Sequence, residues 1–195
     1  MNAADMQRAT QDRDLRAGRA DAPLPHGVVV RALERHPDDR GAVAELFRRD
    51  WASGIDPLQW TLFENAAGVL RGVHMHPRHD DYFVLLRGAV HVGLRDERRG
   101  SPSAGRSAML HLDDGTPVAV IIPHGVLHGL FFVAPSIAVI GASHYYDRAD
   151  ELGCHWRDPS LGLAWPADTA VLSPGDAGLP ALRDLRPHIP PWAGE

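Results

Sequence analysis

The chain has 195 residues, 20 basic against 25 acidic side chains, and a formal net charge of −5. That length is enough for one domain with a full core, and the acidic balance excludes a general nucleic-acid binder, which needs clustered positive charge. Every basic residue is arginine, so chemistry that needs a lysine Schiff base or a side-chain ammonium is excluded.

Residues 1–25 are polar and rich in Ala, Arg and Asp, and are expected to form a flexible N-terminal extension to a single domain spanning 26–195. From Gly27 onward short apolar runs alternate with turn residues: Val28–Val30, Val43–Phe47, Tyr82–Leu86, Val118–Ile122, Leu127–Val133 and Ile137–Ile140. Their length and their Val, Ile and Phe content predict strands of an all-β barrel or sandwich. Arg87-Gly88 and Asp113-Asp114-Gly115 supply turns between them. The Pro-rich end, Leu179 to Trp192, is read as a surface wrap with one helical turn at Leu182–Leu185. Cys154 has no partner for an internal disulfide, which fits a reducing compartment. No apolar stretch approaches the roughly 18 residues of a membrane span and the N-terminus lacks a signal-peptide core. The expected location is therefore the cytoplasm, with no membrane partner.

Among the 12 histidines, three have a spacing with chemical meaning. His74 and His76 are two apart, so on a strand they share a face. With Gly68, Asp81 and Gly88 they match the first metal-cupin motif, G-x5-H-x-H-x4-(D/E)-x6-G. Pro123-His124-Gly125-Val126-Leu127-His128 is similar to the core of the second, P-x-G-x-x-H. This resemblance implies a double-stranded β-helix, or cupin jelly roll, over residues 27–145 with His74, His76, Asp81 and His128 facing its interior. Three imidazoles and a carboxylate suit Fe, Mn, Co, Ni or Zn; the residues leave open a divalent ion or a metal-free polar pocket.

Ordered blocks along the chain also resemble the dTDP-4-dehydrorhamnose 3,5-epimerase family. Arg71-Gly72-Val73-His74 is similar to its R-G-L-H, Phe63-Glu64-Asn65 to Q-x-N, and Asp96 to Gly105 to D-x-R-x-x-S-P-T-F-G. Pro123 to Gly129 resembles P-x-G-x-x-H-G. Tyr145-Tyr146 followed by Trp156-Arg157-Asp158-Pro159 and Trp165-Pro166 resembles Y-Y, W-x-D-P and W-P, and Leu172 to Asp176 resembles L-S-x-K-D. The resemblance implies a homodimeric isomerase in deoxysugar or natural-product biosynthesis, with a nucleotide-sugar substrate and no required cofactor. It would move protons at C3, C5 or both, next to the ketone of a nucleotide-linked 4-keto-6-deoxyhexose. His74 would be the base and Asp176 its orienting partner. Arg71 would meet the diphosphate, while Asn65, His128, Tyr146 and Trp165 would contact substrate or shape the pocket.

Three departures from the family pattern bear on mechanism. The enolate-stabilising lysine falls at Asp81, the catalytic tyrosine at Gly141 or Ile140, and a glutamine near the nucleotide base at Phe63. Two other classes therefore stand beside the epimerase. One is a metal-dependent cupin enzyme whose ion is held by three histidines and one aspartate, His74, His76, His128 and Asp81. The other is a non-catalytic sugar-nucleotide binder.

Overall fold

Alternation along the strand Asp81–Arg87 shows how the layers form. Phe83 and Leu85 point into a core shared with Val90, Val92, Leu94, Leu130 and Phe132, while Tyr82 and Val84 turn the other way, onto Leu33, Ile55 and Ile121. This period of two is what a strand imposes when both faces are covered. Each fully buried side chain such as Leu94 or Phe132, both at 0% exposure, stabilises the fold by about 1.5–3 kcal/mol.

The computed structural model describes residues 18–194. One sheet holds β1 (Arg19–Ala20), β6 (Leu70–Met75), β8 (Ala89–Asp96), β9 (Ser107–Asp113), β11 (Val126–Phe132) and β13 (Leu152–Gly153), in the order β1-β9-β8-β11-β6-β13. The facing sheet holds β2 (Val29–Ala32), β5 (Gln59–Asn65), β7 (Asp81–Arg87), β10 (Val118–Ile122) and β12 (Ser136–Ala142), in the order β2-β10-β7-β12-β5. A separate hairpin pairs β3 (Arg35–Asp38) with β4 (Gly41–Ala44). Every pairing between these strands is antiparallel, and the architecture is the expected cupin jelly roll. Two short helices follow, α1 (Pro174–Ala177) and α2 (Leu182–Leu185), the second at the helical turn read from the sequence. Among the described residues no helix is long and apolar enough to cross a membrane.

The expected flexible extension ends earlier than residue 25. Arg19 and Ala20 pair with His111 and Leu110 of β9, and Asp21 exchanges hydrogen bonds with the Met109 backbone. Gly18 lies against Leu110 and Leu112, where a Cβ would come within 2.9 Å of the Leu110 side chain. Pairing with a free sheet edge is a backbone property that a polar composition does not reveal. The rest of that extension, residues 1–17, lies outside the described residues.

The C-terminal segment forms a third layer. Trp156, Leu161, Leu182, Leu185 and Ile189 cover the outer face of the first sheet at Val73, Met75, Leu127 and Phe131. The cost of leaving that face wet explains why a Pro-rich tail wraps the barrel instead of trailing away.

Candidate active site

A cavity of about 490 Å³ opens between the sheets, lined among others by Phe63, Arg71, His74, His76, Asp81, His128, Ile140, Tyr146, Glu151 and Asp176. Its main irregularity is in β6. His74 pairs with His128 and Arg71 with Leu130, so Gly72 and Val73 stand opposite Gly129 alone. This β-bulge resets the alternation, and Arg71 and His74, three apart, both reach the cavity. Gly72 is required there: its φ is +119°, and a Cβ would sit 2.8 Å from the His128 carbonyl oxygen.

His74 is held from α1. Its Nε2 lies 2.6 Å from Asp176 Oδ1, and its Nδ1 lies 3.4 Å from Glu151 Oε1. Ser173 caps α1 by accepting from the Asp176 backbone N–H at 3.0 Å. Burial alone would raise the Asp176 carboxyl, but His74 beside it, with Ser173 and the Gly72 N–H, holds it below its ordinary value. A carboxylate so held accepts a hydrogen bond from the Nε2–H and, in the neutral ring, leaves Nδ1 with the lone pair.

Three further histidines, His76, His79 and His128, gather around Asp81. Asp81 Oδ2 lies 3.4 Å from His76 Nε2 and 3.3 Å from His128 Nε2, while Oδ1 lies 3.5 Å from His79 Nε2. Burial drives the His76 imidazole down to about 3, against the pull of Asp81. Burial would raise Asp81, yet His128 and His79 hold it well below the usual carboxylate range. The His79 imidazole is opposed by burial and still raised, because it sits between Asp81 and Asp150. The donor atoms of His76, Asp81 and His128 all lie within 4.8 Å of one another. The expected four-residue set thus divides: Asp176 captures the His74 ring that the spacing assigned to the same cluster.

Other expected residues are placed with mixed results. Arg71 lines the cavity, its guanidinium 4.9 Å from the centre of the Phe63 ring. Asn65 does not line it; its Oδ1 accepts from Arg71 Nε at 2.7 Å, and its amide nitrogen is buried without a partner. Tyr146 stands at the rim, its hydroxyl donating to Glu151 Oε2 at 3.3 Å. Trp165 is a correction. It lies on the far side of the sheet, where its indole N–H donates to the Trp156 carbonyl at 2.9 Å. A Cβ at Gly93 would come within 2.6 Å of its ring, so glycines on β8 and β11 make the floor on which it packs. Of the two positions matching the family tyrosine, Ile140 faces the cavity and Gly141 turns out toward Pro57.

Glu151, Asp150 and His79 were not among the expected site residues. Asp150 is buried and ties the turn down, its carboxylate accepting from His79 Nδ1 at 2.7 Å and Arg78 Nε at 3.0 Å. The signal was the cluster of charges directly after Tyr146, Asp147-Arg148-Ala149-Asp150-Glu151, which is more charge than a plain surface turn needs.

Comparison with known proteins places the chain in a family. Residues 24–184 match the family described as dTDP-4-dehydrorhamnose 3,5-epimerase. A dTDP-4-dehydrorhamnose 3-epimerase of Streptomyces niveus is 34% identical over 82% of each chain. NovW of Streptomyces spheroides, a 4-keto-6-deoxy sugar epimerase, superposes with a TM-score of 0.81 at 30% identity, covering 90% of this chain and 94% of its own. ChmJ of Streptomyces bikiniensis, a 3'-monoepimerase in complex with dTDP-quinovose, gives 0.78 at 29% identity, covering 86% and 90%. The matched residues take in every strand from β2 to β13 together with α1, and this chain belongs to the dTDP-4-dehydrorhamnose 3,5-epimerase family.

Proposed function

We propose that this chain is a sugar-nucleotide isomerase that removes and returns a proton next to the ketone of a dTDP-linked 4-keto-6-deoxyhexose, with His74 as the base. The observation that carries the reading is the 2.6 Å contact between His74 Nε2 and Asp176 inside the cavity. A neutral imidazole whose far N–H is held by a carboxylate offers its other nitrogen as a base for a C–H made acidic by a ketone. When Nδ1 takes the proton, Asp176 and Glu151 flank the imidazolium from both sides and stabilise it. Arg71, steadied by Asn65 and the Phe63 face, offers a planar fork to the diphosphate. Proton transfer of this kind calls for no organic cofactor.

Ile140 in place of a tyrosine leaves the opposite face of the sugar without a strand-borne acid. That favours inversion at one carbon; single-carbon inversion occurs among the relatives, where the S. niveus protein is named a 3-epimerase and ChmJ a 3'-monoepimerase. Incubation with the ketosugar in D2O, followed by NMR, is expected to give deuterium at C3 or C5 with exchange running ahead of inversion. A protein that binds the sugar nucleotide and exchanges no proton over hours would be a binder on an enzyme scaffold.

The same reading includes a homodimer of cytoplasmic chains. Trp60 and Leu62 on the outer face of β5 are 44% and 57% exposed, an apolar face at a sheet edge that a second copy would cover. Light scattering is expected to give twice the chain mass, and the Leu62→Glu variant the mass of one chain.

A further inference from the structure

We infer that His76, Asp81 and His128 form a binding site for one divalent transition-metal ion, separate from the His74 base. The argument begins with the far nitrogens of the two rings. His76 Nδ1 lies 3.2 Å from the Asp150 carbonyl oxygen, and His128 Nδ1 lies 3.2 Å from the Val126 carbonyl oxygen. A carbonyl can only accept, so each Nδ1 carries the hydrogen, and the neutral form of each ring has its lone pair on Nε2. Both lone pairs then face one carboxylate oxygen, Asp81 Oδ2, at 3.4 and 3.3 Å. Three ligand atoms, two nitrogens and one carboxylate oxygen, thus converge within 4.8 Å of one another in a buried place, an arrangement that a cation among them stabilises.

The spacing also fits an ion. Donors held about 2.0–2.1 Å from one centre at tetrahedral angles lie about 3.4 Å apart, close to the two distances found. Two imidazoles and one carboxylate are a donor set used for zinc and non-haem iron, with further positions left open. Backbone carbonyls on the far ring nitrogens are the supports that orient metal-bound histidines. Asp81 is supported too, because His79 bridges its other oxygen to Asp150.

All three donors line the cavity next to His74, so the open positions of an ion there would face the substrate. In the proposed reaction it would polarise the ketone oxygen and steady the enolate as a Lewis acid, the task for which this chain has no lysine. That role rests on the proton-transfer reading; the presence of the site does not.

The test titrates chelator-treated protein with Co(II), followed by visible absorption, elemental analysis and calorimetry. Wild type is expected to take up one ion per chain and show ligand-field bands. The His76→Ala and His128→Ala variants should bind tenfold or more weakly, and Asp150→Asn, which loosens the supports, should bind detectably more weakly. His74→Ala should bind as wild type does, with melting curves checking that each variant is folded. Wild type that takes up neither Co(II) nor Zn(II), or folded His76→Ala and His128→Ala variants that bind as tightly as wild type, would overturn the site. Deuterium exchange by a protein that binds no metal would sink this inference and leave the base at His74 standing. A metal-loaded protein that exchanges nothing would uphold the site and remove the reaction.

Discussion

Replacing His74 with alanine is expected to lower solvent-deuterium exchange by about 10²–10⁴-fold, the usual contribution of a positioned general base. The affinity for dTDP should change little and the melting temperature should fall modestly, because buried Asp176 loses the ring beside it but keeps Ser173 and the Gly72 N–H. The Asp176→Asn variant separates positioning from chemistry. Its amide can present N–H to Nε2, which forces the proton onto Nδ1 and removes the lone pair from the reacting side. Most exchange should then be lost although every atom keeps its place. If Asp176→Asn exchanged as fast as wild type, the 2.6 Å contact would be a structural tie and the base would lie elsewhere.

The largest loss of stability is expected at Asp96, far from the chemistry. This fully buried carboxylate accepts from Arg98 Nε at 3.0 Å and Nη2 at 2.9 Å, from Ser101 Oγ at 2.5 Å and from Ser103 Oγ at 2.6 Å. Arg98 is 4% exposed and also donates to the His26 carbonyl at 2.7 Å. Asp96→Ala leaves that guanidinium buried without its counter-charge, and breaking a buried pair in this way costs about 3–5 kcal/mol. Urea unfolding at neutral pH measures it. Burial would raise the Asp96 carboxyl, but hydrogen bonds from Arg98, Ser101 and Ser103 bring it down to about 2 from 3.8. A carboxyl depressed on folding contributes its stability above the unfolded value and loses it as pH falls through the folded one. The wild-type protein should therefore weaken between pH 4 and pH 2, and Asp96→Asn should weaken less over that window.

Much of this architecture was legible in the chain. The apolar runs over β7, β10 and β11 lie where strands form, and the Leu182–Leu185 turn is a helix. The cavity residues Arg71, His74, His76, Asp81 and His128 were all singled out from spacing or resemblance, and all line it. What stayed hidden depends on three-dimensional offsets. A strict period of two places Arg71 and His74 on opposite faces, and only the pairing of β6 with β11 reveals the bulge. The partition of His74 from the His76–Asp81–His128 group follows from α1, about a hundred residues downstream in sequence, delivering a carboxylate. Trp165 carries no mark of which side of a sheet it will occupy; the glycines at 93 and 129 that receive it look like turn residues in a linear reading.

The turn at residues 147–151 has a wider meaning for how such a pocket diversifies. Its Asp150 carbonyl and carboxylate orient His76 and His79, and its Glu151 stands beside His74 and Tyr146. Two poles of one cavity, the proposed ion-holding and proton-moving ones, are inherited through five consecutive codons. A change in this turn reaches both together, as does a change in β6, which carries His74 and leads into His76. A substitution at Asp150 or Glu151 therefore adjusts the proposed base and the proposed ion site from outside the barrel strands.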